Sequence, residues 1–227
     1  MAVQENLHKV QRQIEEACAV CGREPGEVTL IAVSKTKPVD MLLDAYEGGA
    51  RHFGENKVQE MVSKIPQMPK DISWHMIGHL QTNKVRQVVG RACLIHSVDS
   101  LRLAREIEKE SERQNLVTSI LLEVNVAREE SKYGFFLEEV EEALHSIREF
   151  PHVKVKGLMT IAPFVSNAEE NRAVFRKLYQ FHVDMKTKNI DNKDMTILSM
   201  GMTGDFTVAV EEGATMVRVG TGIFGTR

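Results

Sequence analysis

The chain has 227 residues, enough to bury one sizeable core, with 42% hydrophobic residues, 27% charged residues and a formal net charge of -3. That balance holds no basic excess of the kind a nucleic-acid surface needs, so nucleic acid is not an expected partner. No apolar run approaches the roughly 20 residues that span a bilayer, and the start MAVQENLHKVQRQIEEA lacks the apolar centre of a secretion signal; the expectation is a cytoplasmic protein without membrane contact.

The first predicted element is a helix over 3–21, which ends in the C-x-x-C of Cys18 and Cys21. A redox pair of this spacing uses a helix amino terminus to stabilise its thiolate, and a zinc site needs a second pair; neither condition is met, so both cysteines read as structural. Cys93, within an apolar run, reads as core. From there, strands are expected near 28–34, 51–54, 72–77, 93–98, 118–126, 153–161, 196–200 and 216–219. Helices are expected between them, near 38–48, 56–65, 82–90, 100–114, 136–149, 168–187 and 204–212.

Runs such as TSILLEV and MVRVG are apolar on both faces, as in parallel strands covered by helices on either side. Units of about 25 to 30 residues suit right-handed βαβ crossovers, and eight of them suggest a closed (β/α)8 barrel, a TIM barrel, with the leading helix completing the outer ring. No linker or low-complexity tract interrupts the pattern, so residues 1–227 read as a single domain. A doubly wound open sheet is the competing architecture, weakened by the lack of a G-x-G-x-x-G after the first strand.

In a barrel the loops after the strands form the active face. That rule brings forward Lys35, which follows the apolar run VTLIAVS, and the small polar residues after strands seven and eight: Ser199, Gly201, Thr203 and Gly204, then Gly220, Thr221 and Gly222. Such residues let backbone N–H groups approach a phosphate, although the glycines could equally serve tight turns. A strand-end lysine desolvated by the barrel mouth has its ammonium form disfavoured, so its free amine can attack a carbonyl to give a Schiff base. A sugar phosphate and pyridoxal 5'-phosphate both fit. Arg218, between two valines of the last strand, favours the second, because a guanidinium facing a pyridine nitrogen keeps that nitrogen unprotonated. The competing reading pairs Arg218 with a core carboxylate such as Glu123.

The motifs IAVSKTKP, HFGENKVQE, WHMIGHLQTNKV, HSVDS, EESKYGF, GLMTIAP, LSMGMTGDF and VRVGTGIFG, in this order from residue 31 to 225, resemble the pyridoxal phosphate homeostasis protein family, formerly the proline synthetase co-transcribed family. The resemblance implies a barrel of the alanine racemase amino-terminal type that carries pyridoxal 5'-phosphate as a Schiff base on Lys35. It also implies Asn56 near the cofactor ring, Arg218 facing the pyridine nitrogen, and Ser199, Met200, Gly220 and Thr221 at the phosphate. The implied function is a monomeric carrier or regulator in vitamin B6 and amino- and keto-acid balance, without established turnover and with transient contacts to apo-enzymes that need the cofactor.

The alternative is a weak racemase or lyase. Racemases of this type take a second acid/base with a carboxyl-terminal β-domain, for which no residues follow the last motif here. Of the three tyrosines only Tyr133 falls in a strand-end loop and could act as acid/base. Two positions depart from the common pattern: Thr203 stands for Ser, and Gly222 for a bulkier residue, which is expected to loosen the phosphate loop. His75 and His79, four apart on a strand rather than a helix, read as pocket or core side chains rather than metal ligands. Glu129, Glu130, Lys132 and Tyr133 form a polar loop that could act as a lid.

Overall fold

Short aliphatic runs form eight strands in the computed structural model, which describes residues 2–188, 190 and 193–226. They are β1 (Thr29–Val33), β2 (His52–Glu55), β3 (Ser73–Met76), β4 (Leu94–Val98), β5 (Thr118–Glu123), β6 (Val153–Met159), β7 (Lys193–Met202) and β8 (Met216–Val219). Each pairs in parallel with the next, and β8 pairs with β1, which closes the barrel that the alternation predicts. Closure removes the exposed edges that a doubly wound sheet would keep. Around it run α1 (Ala2–Cys21), α2 (Val39–Glu47), α3 (Val58–Lys64), α4 (Leu101–Arg113), α5 (Leu137–Ile147), α6 (Arg172–Thr187), α7 (Phe206–Glu211) and α8 (Thr221–Phe224).

The helix α1 buries Val3, Leu7, Val10, Ile14, Ala17 and Cys18, a stripe at three- and four-residue spacing. It packs against α2, α7 and α8, so it fills the outer ring where the chain's two ends meet. Each large side chain of that stripe contributes about 1.5–3 kcal/mol through burial. The thiol of Cys21 donates to the carbonyl of Ala17 at 3.2 Å, and both cysteines of the C-x-x-C are free.

Several elements differ from expectation. The segment expected as a helix over 82–90 is a 3-10 helix, Thr82–Gln87; its buried side chains, Val85, Val88 and Val89, are β-branched, and such side chains crowd an α-helical turn. Ala168–Asn171 also winds as 3-10, with the Asn167 side chain accepting from the N–H of Glu169 at 3.1 Å, and the α-helix begins at Arg172. Strand β7 continues to Met202, two residues past its expected end, and the tail after β8 makes the short α8. Cys93 is exposed rather than in the core, because β4 begins one residue later.

Alternation along the strands divides the apolar side chains. Ile95, Ile120, Leu122, Leu158 and Leu198 face the helix layer with the main core, while Leu94, Leu121 and Met159 form a small separate cluster inside the barrel. At Gly157 the register with both neighbouring strands shifts, φ is 152°, and a Cβ would stand 1.7 Å from the carbonyl oxygen of Ile197. Only glycine permits that approach.

Candidate functional site

The amine expected at the mouth is delivered by a tightly held turn. Ser34, which ends the run before Lys35, is fully buried, and its hydroxyl donates to Glu55 Oε1 at 2.6 Å. Lys64 reaches in from α3 to the same oxygen at 2.7 Å and to the Ser34 carbonyl at 2.8 Å. Thr36 has φ 62°, a left-handed conformation that a β-branched residue adopts at a cost of about 1–3 kcal/mol. Its N–H donates to Glu60 Oε2 at 2.7 Å, which offsets part of that strain. Lys37 donates to the carbonyls of Phe224, Gly225 and Thr226, with the Gly225 contact at 2.9 Å, and so caps α8. Sequence reasoning missed Lys64. Its signal was a lysine on the stripe of Val58 and Met61, the buried face of α3.

Lys35 opens onto a cavity of about 550 Å³ lined also by Val33, Asn56, Ile77, Arg218, Gly220 and Thr221, and on the far side by residues of 161–165 and 202–205. Lys35, Asn56, Arg218, Gly220 and Thr221, five of the seven residues singled out, thus converge although they are up to 186 positions apart in sequence, from 35 to 221. Lys35 itself is exposed rather than enclosed by the barrel mouth. The backbone at Asn56 is fixed by the close approach of Gly78, where a Cβ would stand 2.4 Å from the Asn56 carbonyl oxygen.

Ser199 and Met200, expected at the phosphate, do not line the cavity. Because β7 runs on to Met202, both lie within the strand: Ser199 turns into the barrel, with its hydroxyl 2.6 Å from Arg218 Nη1, and Met200 turns out into the helix-facing core. The residues that reach the cavity from this loop are Met202, Thr203, Gly204 and Asp205. Thr203 Oγ1 accepts from the N–H groups of Gly220 and Gly222 at 3.3 and 3.4 Å, which ties the two candidate phosphate loops together.

The two departures from the common pattern touch each other. A Cβ at Gly222 would stand 3.2 Å from the Thr203 methyl and 2.9 Å from Val219 Cγ1, so the extra methyl of threonine occupies space that a side chain at 222 would need. Gly222 is a packing position beneath α1 rather than a loosened loop.

Arg218 is 4% exposed and donates to the Ser199 hydroxyl and, at 2.8 Å, to the Thr160 carbonyl. Its protein partners are neutral, and the expected alternative of an ion pair with Glu123 is not formed among the described residues. Burial lowers the Arg218 pKa to about 10, opposed by the charges of Glu123 and Asp205, so it stays a cation at neutral pH. Burial, reinforced by Asp99, pushes the Glu123 carboxyl up to about 7, with Arg218 pulling the other way.

The remaining candidates lie elsewhere. Tyr133 stacks on His79 with ring centroids 3.9 Å apart, and His79 Nδ1 is 2.9 Å from Asp99 Oδ2; this group borders a second cavity, of about 720 Å³. Neither ring lines the Lys35 cavity. Asn125 and Glu129 bond each other across the expected lid loop, and Lys132 anchors it to the carbonyl of Ala162 at 3.1 Å. Among the described residues no group of three or more His, Cys, Asp or Glu side chains is placed to hold a metal ion.

Comparison with known proteins places this geometry. Residues 3–227 match the family described as alanine racemase, N-terminal domain. The pyridoxal phosphate homeostasis protein of Aquifex aeolicus is 43% identical over 224 residues, covering 98% of this chain and 97% of its own. The structure of PipY from Synechococcus elongatus, solved with PLP bound, is similar at a TM-score of 0.81 and 36% identity, covering 93% of this chain and all of that one. The alanine racemase of Corynebacterium glutamicum, 14% identical with a TM-score of 0.71, shows the shared fold; this chain spans 61% of its length.

Proposed function

The chain belongs to the alanine racemase N-terminal domain family and, within it, to the pyridoxal phosphate homeostasis proteins, and from that premise we propose that it holds pyridoxal 5'-phosphate with Lys35 as the amine that closes the Schiff base. The observation that carries this reading is the pairing, in one cavity, of a strand-end lysine with an arginine whose protein partners are all neutral. The residues fit the group. An arginine whose direct hydrogen-bond partners are neutral, with no carboxylate paired to it, is suited to an unprotonated ring nitrogen. The loops at 203–204 and 220–221, joined through Thr203, line the cavity with small residues and hydroxyls of the kind that lets a phosphate approach the backbone.

The bound group would supply a reactive aldehyde; the chain would supply the amine, the ring contacts of Asn56 and the anion cradle. We propose a carrier rather than an enzyme. Besides Lys35 and Arg218 the described lining has one ionisable side chain, Asp205, whose oxygens accept from the Met202 N–H at 2.7 Å and from Asn171 Nδ2 at 2.8 Å. It is therefore occupied as a structural acceptor, and Tyr133 lies outside the cavity. The proposal extends to residues 1–227 acting as one domain, a cytoplasmic monomer in vitamin B6 and amino/keto-acid homeostasis that passes its cofactor to apo-enzymes by transient contact.

The test is borohydride reduction of the protein incubated with pyridoxal phosphate, followed by digestion and mass spectrometry. The expected result is one modified peptide, at Lys35, absent in Lys35→Ala. No adduct, or one that survives Lys35→Ala on another lysine, would end the reading. Deuterium incorporation at Cα of any amino acid, dependent on Lys35, would favour an enzyme over a carrier.

A further inference from the structure

A row of side chains crosses the barrel beneath the cavity. Arg218 Nη1 donates to Ser199 Oγ at 2.6 Å, and Ser199 Oγ lies 3.0 Å from His96 Nδ1. His96 Nε2 lies 2.9 Å from His75 Nδ1, and His75 Nε2 lies 3.0 Å from His52 Nδ1. Ser199, His96, His75 and Arg218 are all buried. His52 is half-buried and borders a groove of about 440 Å³ at the amino-terminal ends of β1 and β2, beside α1. Five strands thus contribute one side chain each to a path from the cavity to the opposite end of the barrel.

The chemistry of its first member fixes the direction of the whole row. A guanidinium only donates, so Ser199 Oγ accepts from Arg218. The hydroxyl's own hydrogen then has one acceptor left in the row, His96 Nδ1. That nitrogen must be bare, which puts the His96 proton on Nε2, pointing at His75 Nδ1. The same step puts the His75 proton on Nε2, pointing at His52 Nδ1. The reverse arrangement would strand the serine hydrogen in a fully buried site. Burial holds His75 down to about 3 and His96 well below the usual imidazole range, so both rings are neutral.

We infer that Ser199, His96 and His75 are positioning residues for Arg218: a polarised row of neutral acceptors that aims the guanidinium into the cavity without cancelling its charge. A carboxylate in the place of Ser199 would hold the arginine as firmly but would neutralise it. The row also accounts for polar side chains in a barrel interior that is usually filled by aliphatic ones. Its geometry stands by itself; its bearing on the cofactor rests on the function proposed above.

Two measurements separate the two claims. In ligand-free protein labelled with nitrogen-15 histidine, NMR at neutral pH should show His75 and His96 protonated at Nε2 and bare at Nδ1. A proton on Nδ1 of either ring, or an imidazolium, overturns the proposal whether or not the protein binds a cofactor. For the second, His96→Asn keeps an acceptor near the place of Nδ1 and His96→Phe removes it. The Phe variant, checked for a cooperative melt, should bind pyridoxal phosphate about tenfold more weakly and the Asn variant within about threefold of the parent. Equal binding by parent and Phe variant refutes the positioning role. If the Phe variant fails to fold or the parent binds no cofactor, the ring protonation pattern alone decides.

Discussion

Replacing Lys64 with Met is the sharpest test of how the lysine turn is held. The Lys64 side chain is 8% exposed and that of Glu55 is fully buried, with 2.7 Å between Nζ and Oε1. Glu55 Oε2 has no hydrogen-bond partner, so the carboxylate depends on Lys64 and Ser34 through its other oxygen. Burial raises the Glu55 pKa, and Lys64 and Ser34 are the groups that oppose the rise. Without the ammonium, an unpaired buried carboxylate costs about 3–5 kcal/mol. Protonation limits that cost: keeping a carboxyl of ordinary pKa neutral at pH 7 takes about 4 kcal/mol, at 1.36 kcal/mol per unit. Lys64→Met should therefore lose about 3–4 kcal/mol at pH 7, a Tm fall on the order of 10 °C for a chain of this size. The sign with pH follows. A carboxyl whose folded pKa is raised contributes stability that is lost as pH rises through that pKa, so the deficit should shrink toward pH 5. Thermal melts of parent and variant at both pH values read this directly. The double variant Glu55→Gln with Lys64→Met should recover much of the loss, because no buried charge remains. A loss below about 1 kcal/mol at pH 7, or a deficit equal at both pH values, would refute the argument.

Glu123→Gln tests the other buried carboxyl: with a folded pKa of about 7, the wild type loses stability relative to the variant as pH rises from the ordinary carboxylate range through neutrality. Melts should show the variant gaining several degrees on the parent at pH 8 and little at pH 5, and a gain confined to the acid side would contradict it. Gly78→Ala places a Cβ 2.4 Å from the Asn56 carbonyl oxygen, so the backbone must move; the expected cost is about 1–3 kcal/mol in a melt together with weaker pyridoxal phosphate binding, and an unchanged Tm would show the contact to be soft.

The sequence was most legible where chemistry is local. An apolar run ending in Lys35, repeated strand-helix units and small residues after the last two strands are properties of short windows, set by side-chain periodicity and turn chemistry. They gave the closed barrel, the position of α1 in its outer ring, and Lys35, Gly220 and Thr221 at the cavity, while Arg218 was read from the last strand and Asn56 came with the family resemblance. Ser199 and Met200 lie outside the cavity lining because strand ends are set by pairing with neighbours rather than by local preference. The register between β7 and β8 shifts between Ser199 and Met202, and the strand runs on past both residues.

What only the tertiary structure decided is which side of each strand a residue faces and which distant groups it meets. Three strands carry a histidine each, at 52, 75 and 96, but that they touch one another and reach Arg218 through Ser199 depends on the barrel's register. The buried Lys64 likewise needs the fold to bring Glu55 and the Ser34 carbonyl to one point. Sequence spacing determines the kind of element a segment forms, since that energy comes from neighbours a few residues away. The arrangement of polar groups inside the barrel comes from contacts between residues 19 to 103 positions apart, which exist only once the strands have closed on one another.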